Sequence, residues 1–222
     1  VRPPASEAEL LARCEAIAGR TLGSLAAEQG LPVPADLRRA KGWPGVLIEE
    51  VLGASAASRP EPDFVGLGIE LKTLPVDARG RPCESTYVCT VPLLAREAPL
   101  WERSNVRRKL ARVLWVPLEG ERERPVAERR VGLALLWSPS PAEEAALRAD
   151  WEELMDMVCM GRLEAISAHH GTWLQIRPKA ADSRARRRGV LAGGEQGPTL
   201  PRGFYLRPAF TAALLERHYA LG

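Results

Sequence analysis

The apolar residues change period between Gly53 and Asp63, and that change restricts the architecture more than any other feature of the chain. Before it, apolar residues recur three and four positions apart, which gathers them on one face of a helix. Ser6 caps a segment in which Leu10, Leu11, Cys14 and Ile17 follow this spacing, with Gly19 near its end. TLGSLAAEQG forms a second, short helix ending at Gly30. Residues 43–52 suit a third, with Pro44 tolerated in the first turn and Gly53 as the stop. Its apolar stripe is Pro44, Leu47, Ile48, Val51 and Leu52. Glu49 and Glu50 lie on opposite sides of that stripe, and periodicity leaves open which one faces inward.

After Gly53 the chain becomes β-prone. Residues 63–75 form one strand, with Gly66 and Gly68 marking a bend or bulge. Residues 86–93, 112–118 and the run RRVGLALLW supply three more. Helical spacing returns at 142–160, where Leu147, Trp151, Leu154, Met155 and Val158 line one face and the acids take the other. That acidic face reads as solvated surface or as a docking surface for a partner. TWLQIRPK is a strand running into a turn, and residues 180–199 are a mobile loop or hairpin. LPRGFYLRP is a further short strand, and FTAALLERHYAL a closing helix. Helices, then a mixed sheet, then helices again point to an α/β or α+β fold with helices around one central sheet.

Composition narrows the class. A chain of 222 residues is long enough for one core or for two lobes around a cleft. No apolar run approaches the roughly 20 residues that cross a bilayer, and no charged-then-apolar leader opens the chain, so the cytoplasm is the expected compartment. The four cysteines show no CxxC spacing, so reduced and mostly buried thiols are expected rather than a zinc site. The net charge of +3 is small but segregated. Arg103, Arg107, Arg108, Lys109 and Arg112 crowd into residues 103–112 with no acid among them. Residues 177–188 carry Arg177, Lys179, Arg184, Arg186, Arg187 and Arg188 against Asp182 alone, and six acids face a single base in 143–156. Each basic run alone is a solvated face, but two in one chain favour a polyanionic partner.

The chemistry concentrates in PDFVGLGIELK, residues 62–72. In a strand, Glu70 and Lys72 share a face while Leu71 points to the core, and the two glycines let Asp63 return to the same spot. Two carboxylates and the main-chain carbonyl of Leu71 would hold Mg²⁺, which prefers hard oxygen and keeps several waters. The Lys72 ammonium would orient a water or stabilise developing charge, a set suited to phosphodiester hydrolysis. The plainer alternative is a wet strand edge with a weak Glu–Lys pair.

PDFVGLGIELK carries the PD…(D/E)xK core of the restriction-endonuclease-like superfamily. Its setting resembles the MutH family of DNA mismatch repair endonucleases. The segments that carry the likeness are KGWPGVLIEEVLGASA at 41–56, ELKTLPVDARGRP at 70–82, KLARVLWVPLEGER at 109–122, DWEELMDM at 150–157, LQIRPKAA at 174–181 and LPRGFYL at 200–206. The resemblance implies a central mixed sheet flanked by helices, with two lobes around a DNA-binding cleft. The lobes are expected at 1–105, carrying the metal site, and 106–222, carrying DNA readout. It implies a monomeric, Mg²⁺-dependent endonuclease using one or two ions. Such enzymes nick the unmethylated strand 5′ of the G in hemimethylated GATC, also act on unmethylated GATC, and are activated by MutL downstream of MutS.

Residue by residue, the resemblance makes Asp63, Glu70 and the Leu71 carbonyl the metal ligands and Lys72 the catalytic lysine. It selects Glu49 over Glu50 as the third acid and places Lys109 near the scissile strand, with Lys41 as a further phosphate contact. Arg177, Pro178, Lys179 and Tyr205 fall to sequence readout. Tyr87, counted with the DNA-binding residues, stands where the family has phenylalanine, so its hydroxyl alters either packing or a DNA contact, and the stretch 184–188 is more basic than the family pattern. A restriction-type enzyme cutting both strands, and a DNA-binding module without catalysis, are the competing readings.

Overall fold

The computed structural model describes residues 1–38, 40–56, 61–94, 100–179 and 185–219. The first three helices form where the apolar spacing puts them. Helix α1, Glu7–Ile17, starts at Ser6, whose hydroxyl accepts the Glu9 amide at 3.1 Å. Helix α2, Leu22–Glu28, is capped by Thr21. Helix α3, Trp43–Leu52, ends at Gly53 in the left-handed region, where a side chain would be strained. Leu10, Leu25, Leu47, Ile48 and Leu52 meet in one buried cluster.

That cluster also takes one face of a three-stranded mixed sheet. Strand β1, Glu70–Val76, pairs in parallel with β3, Val113–Glu119, which in turn pairs antiparallel with β4, Leu135–Trp137. Leu71, Leu114, Val116 and Leu118 supply the sheet's share of the core. These elements belong to a unit of Val1–Cys83, Arg112–Ser138 and Leu215–Gly222.

The second unit comprises Glu84–Ala111 and Pro139–Leu214. Its sheet has β8, Arg202–Leu206, between β2, Thr86–Thr90, and β5, Leu174–Pro178, all antiparallel. Leu174, Phe204 and Leu206 are buried on one face. Helix α4, Asn105–Leu110, is capped by Ser104, and α5, Pro141–Cys159, opens with a reciprocal Ser140–Glu143 capping box. Trp101 packs on Trp151 of α5 with ring centroids 5.8 Å apart. Strands β6, Arg187–Val190, and β7, Gln196–Thr199, make a hairpin, and helix α6 spans Pro208–Tyr219.

The mixed α/β character is as expected, but the strands fall into three sheets among the described residues instead of one. The chain passes between the units at 83–84, 111–112, 138–139 and 214–215, not once near residue 105. The expected strand at 63–75 starts only at Glu70, because residues 64–69 close on themselves first. Helix α4 went unread in the sequence; its short apolar signal, Val106 and Leu110, is masked by the surrounding charge. Of the expected 180–199 loop or hairpin, 185–199 holds the β6–β7 hairpin and 180–184, with Arg184, lies outside the described residues. No described helix is long and apolar enough to cross a membrane.

The acids of α5 do not all face water. Asp150 is 7% exposed and accepts the amides of Thr172, Trp173 and Leu174 at 2.8, 2.6 and 2.8 Å. Three consecutive N–H groups satisfy one carboxylate, and that fixes where β5 begins. Nor is the first basic run uniformly available. The Arg107 guanidinium lies 2.7 Å from Glu144, and Arg112 meets Glu7 at 2.6 Å. Each arginine holds its partner's carboxyl below the ordinary glutamate range.

Candidate active site

The start of β1 gathers the carboxylates. Phe64 and Ile69 exchange main-chain hydrogen bonds of 2.9 and 3.3 Å around a 3-10 turn at Val65–Leu67. Gly68 closes that turn at φ +67°, whereas Gly66 has no positive φ and so contributes no special freedom. Both bridging side chains are buried, which anchors the loop to the core. The result sets Asp63 beside the strand, where its Oδ2 accepts the Leu71 amide at 2.7 Å.

Strand geometry explains why that amide is available. The Glu70 N–H donates to the Arg112 carbonyl at 3.0 Å, toward β3. Neighbouring residues alternate edges, so the N–H and C=O of Leu71 face the other way, along the edge of β1 that no other strand covers among the described residues. Asp63 occupies that edge, and the Leu71 carbonyl shares it.

Glu70 is 5% exposed, and its Oε1 lies 2.8 Å from the Lys72 ammonium. Removing two charges from water costs several kcal/mol per ion, a cost that pairing them at this distance offsets. Glu49 of α3 is half-buried and Glu50 exposed. A Cβ added to Gly45 would sit 3.9 Å from Glu49 Oε1 and 4.0 Å from Thr73 Oγ1, which puts the Glu49 carboxylate on the α3 side of β1. Among the described residues no three His, Cys, Asp or Glu side chains converge to hold a metal, so Glu49 is not collected with Asp63 and Glu70. Two hard carboxylates plus one carbonyl are the kind of donor set that would suit a cation that retains water. Lys41 lies exposed in the turn before α3.

The second unit presents a separate set. Lys109 is half-buried on α4. On the open face of the β2–β8–β5 sheet, Tyr87 stands opposite Tyr205 with centroids 5.4 Å apart, edge to face. The Arg177 guanidinium lies 5.6 Å above the Tyr205 ring and the Lys179 ammonium 3.4 Å above the Tyr87 ring. Arg177, Pro178 and Lys179 are all exposed. Burial raises the Tyr205 phenol above its usual range, against a smaller opposing pull from Arg177, so it remains a neutral donor at physiological pH.

Gly203 makes this arrangement possible. A Cβ there would lie 3.0 Å from both Tyr87 and Tyr205 ring carbons. Sequence reasoning missed Gly203 and Asp150. A glycine flanked by strand residues was the available signal for the first, and for the second it was position, since Asp150 lies three residues after Leu147 and four before Leu154 on the apolar face.

Comparison with known proteins agrees in extent and kind. A family model described as DNA mismatch repair enzyme MutH matches residues 52–150. The DNA mismatch repair protein MutH of Salmonella paratyphi C is 60% identical over 219 residues, 99% of this chain and 95% of its own. That of Klebsiella pneumoniae strain 342 is 58% identical over the same span. At such identity over nearly the whole length, the chain belongs to the MutH family.

Proposed function

We propose that the protein is a Mg²⁺-dependent endonuclease of methyl-directed DNA mismatch repair. It nicks the unmethylated strand 5′ of the G in hemimethylated GATC, acts as a monomer, and is activated by MutL downstream of MutS. Beyond family membership, one observation carries the chemistry: the Leu71 amide holds the Asp63 carboxylate beside the Glu70–Lys72 pair.

Asp63, Glu70 and the Leu71 carbonyl would hold the cation, and Glu49, outside that set, would help a second ion or position a basic group. A bound Mg²⁺ supplies an acidified water and neutralises charge gathering on phosphorus. The remaining work falls to the chain's own groups. Lys72 orients the attacking water and stabilises negative charge in the transition state. Lys109 contributes a cation to the scissile phosphate, and Lys41 holds a neighbouring one. Arg177 and Lys179 donate to guanine N7 and O6, with Pro178 fixing the backbone between them. The Tyr205 hydroxyl, braced by Tyr87, lies against adenine and senses whether N6 is methylated.

Plasmids carrying one GATC in each methylation state, incubated with and without MutL, test the reading. Nicked circles from hemimethylated DNA, formed faster with MutL, are expected. Linear DNA from fully unmethylated plasmid fits two successive nicks. Linear first product regardless of methylation and MutL would establish a restriction-type enzyme instead, and binding without cleavage a non-catalytic module.

A further inference from the structure

The arginine-rich stretch after Lys179 has no role in the chemistry above. Its described part, Arg186–Arg188, leads into the β6–β7 hairpin and lines two adjoining cavities of about 400 and 510 Å³. The cavities share Thr90, Val91 and Arg187, so they form one trough. Lys179, Arg186 and Arg202 line its first part and Arg188 its second, and no acidic side chain lines either among the described residues. Arg202 shares its charge with the Glu164 carboxylate at 2.7 Å. The hairpin is seated by main-chain and packing contacts: the Val190 amide donates to the Leu93 carbonyl at 3.1 Å, and a Cβ on Gly189 would come within 3.3 Å of the Leu93 Cβ.

The trough continues the recognition face. Lys179, which rests on Tyr87, lines its first part. Thr90 lines both parts and pairs with Gly203, beneath the tyrosine rings. Cations spaced along a groove concentrate positive potential over a length, not at a point. Guanidinium groups match phosphate oxygens in pairs. An extended polyanion answers to that pattern better than a lone phosphate.

We propose that this trough is a second DNA-binding track, which holds the phosphodiester backbone of duplex outside the recognised bases and adds affinity without reading sequence. It rests on the DNA-binding function proposed above and extends it to residues that function leaves unused. Through the trough the enzyme would prefer long duplex to a short one carrying the same site.

The test replaces Arg187 and Arg188 together by glutamine, which keeps the aliphatic stems, and in a second variant by lysine. Binding is measured over a range of salt concentrations, on a long duplex with one GATC, on the same duplex without it, and on a short duplex limited to the site. The glutamine variant should lose affinity for both long duplexes by the same factor, and its salt slope should fall by about 2, roughly one per phosphate contact. The short duplex should bind unchanged, and the lysine variant should restore most of the slope. Millimolar inorganic phosphate should compete no better than its ionic strength explains; strong competition would overturn the track in favour of a free-phosphate site. A slope unchanged in the glutamine variant, with its thermal unfolding intact, would overturn the track alone. Failure of the unaltered protein to bind any duplex would overturn the DNA-binding reading beneath it as well.

Discussion

Glu70 is a carboxylate almost withdrawn from water, so its counter-charge governs the behaviour of the site. Lys72 supplies that charge at 2.8 Å. Lys72→Ala should therefore do two separable things. It should cut nicking by about 10²–10³-fold, as loss of a transition-state donor does, while DNA affinity stays within about twofold. It should also destabilise the metal-free protein by about 3 kcal/mol in urea unfolding, since an unpaired buried charge remains. Asp63→Asn separates charge from architecture. The amide oxygen still accepts the Leu71 N–H, so unfolding should hardly change, while Mg²⁺-dependent cleavage collapses. Equal loss of fold and activity would make Asp63 a structural residue only. The thiols offer a simpler check. Cys83 is exposed, whereas burial pushes Cys14 up to about 12, so a thiol reagent at neutral pH should modify Cys83 first.

Individual elements owe their placement to a few contacts that the apolar pattern does not show. Asp150 ties α5 to the first residues of β5, and β5 carries Arg177 and Pro178 toward the exposed face. Asp150→Ala orphans three amides and should cost roughly 3 kcal/mol, with base selectivity falling more than total DNA affinity. Selectivity is read as the ratio of affinities for GATC and an altered site. Gly203→Ala should act on the same ratio with a smaller loss of stability, because the added methyl displaces two aromatic rings and not a core strand. The helix start at Ser6 and the stop at Gly53 were legible in the sequence, because capping chemistry is local. The partners that Asp150 receives were not, since they lie more than twenty residues away. Likewise Gly66 and Gly68 announced a bend, but only the main-chain pairing of Phe64 with Ile69 turns that bend into a closed loop.

For the molecule as a whole, the chain builds each unit from separated stretches, and periodicity carries no information about such crossings. Charge was similarly half-legible. The run at 103–112 looked like a continuous cationic surface, yet Arg107 and Arg112 are neutralised by Glu144 and Glu7 from distant segments. The run after Lys179 keeps exposed arginines at Arg186, Arg187 and Arg188. The grouping of Asp63, Glu70 and Lys72, the proposed triplet, was legible because its spacing is short: Asp63 lies eight positions before the Leu71 amide that it receives. Strand-resolved cleavage of a hemimethylated GATC duplex, run with Mg²⁺ and with EDTA, tests that triplet most directly. Cuts on the unmethylated strand alone, 5′ of the G, abolished by EDTA and by Asp63→Asn, are the predicted result. Cleavage that persists in EDTA or in the asparagine variant would contradict it.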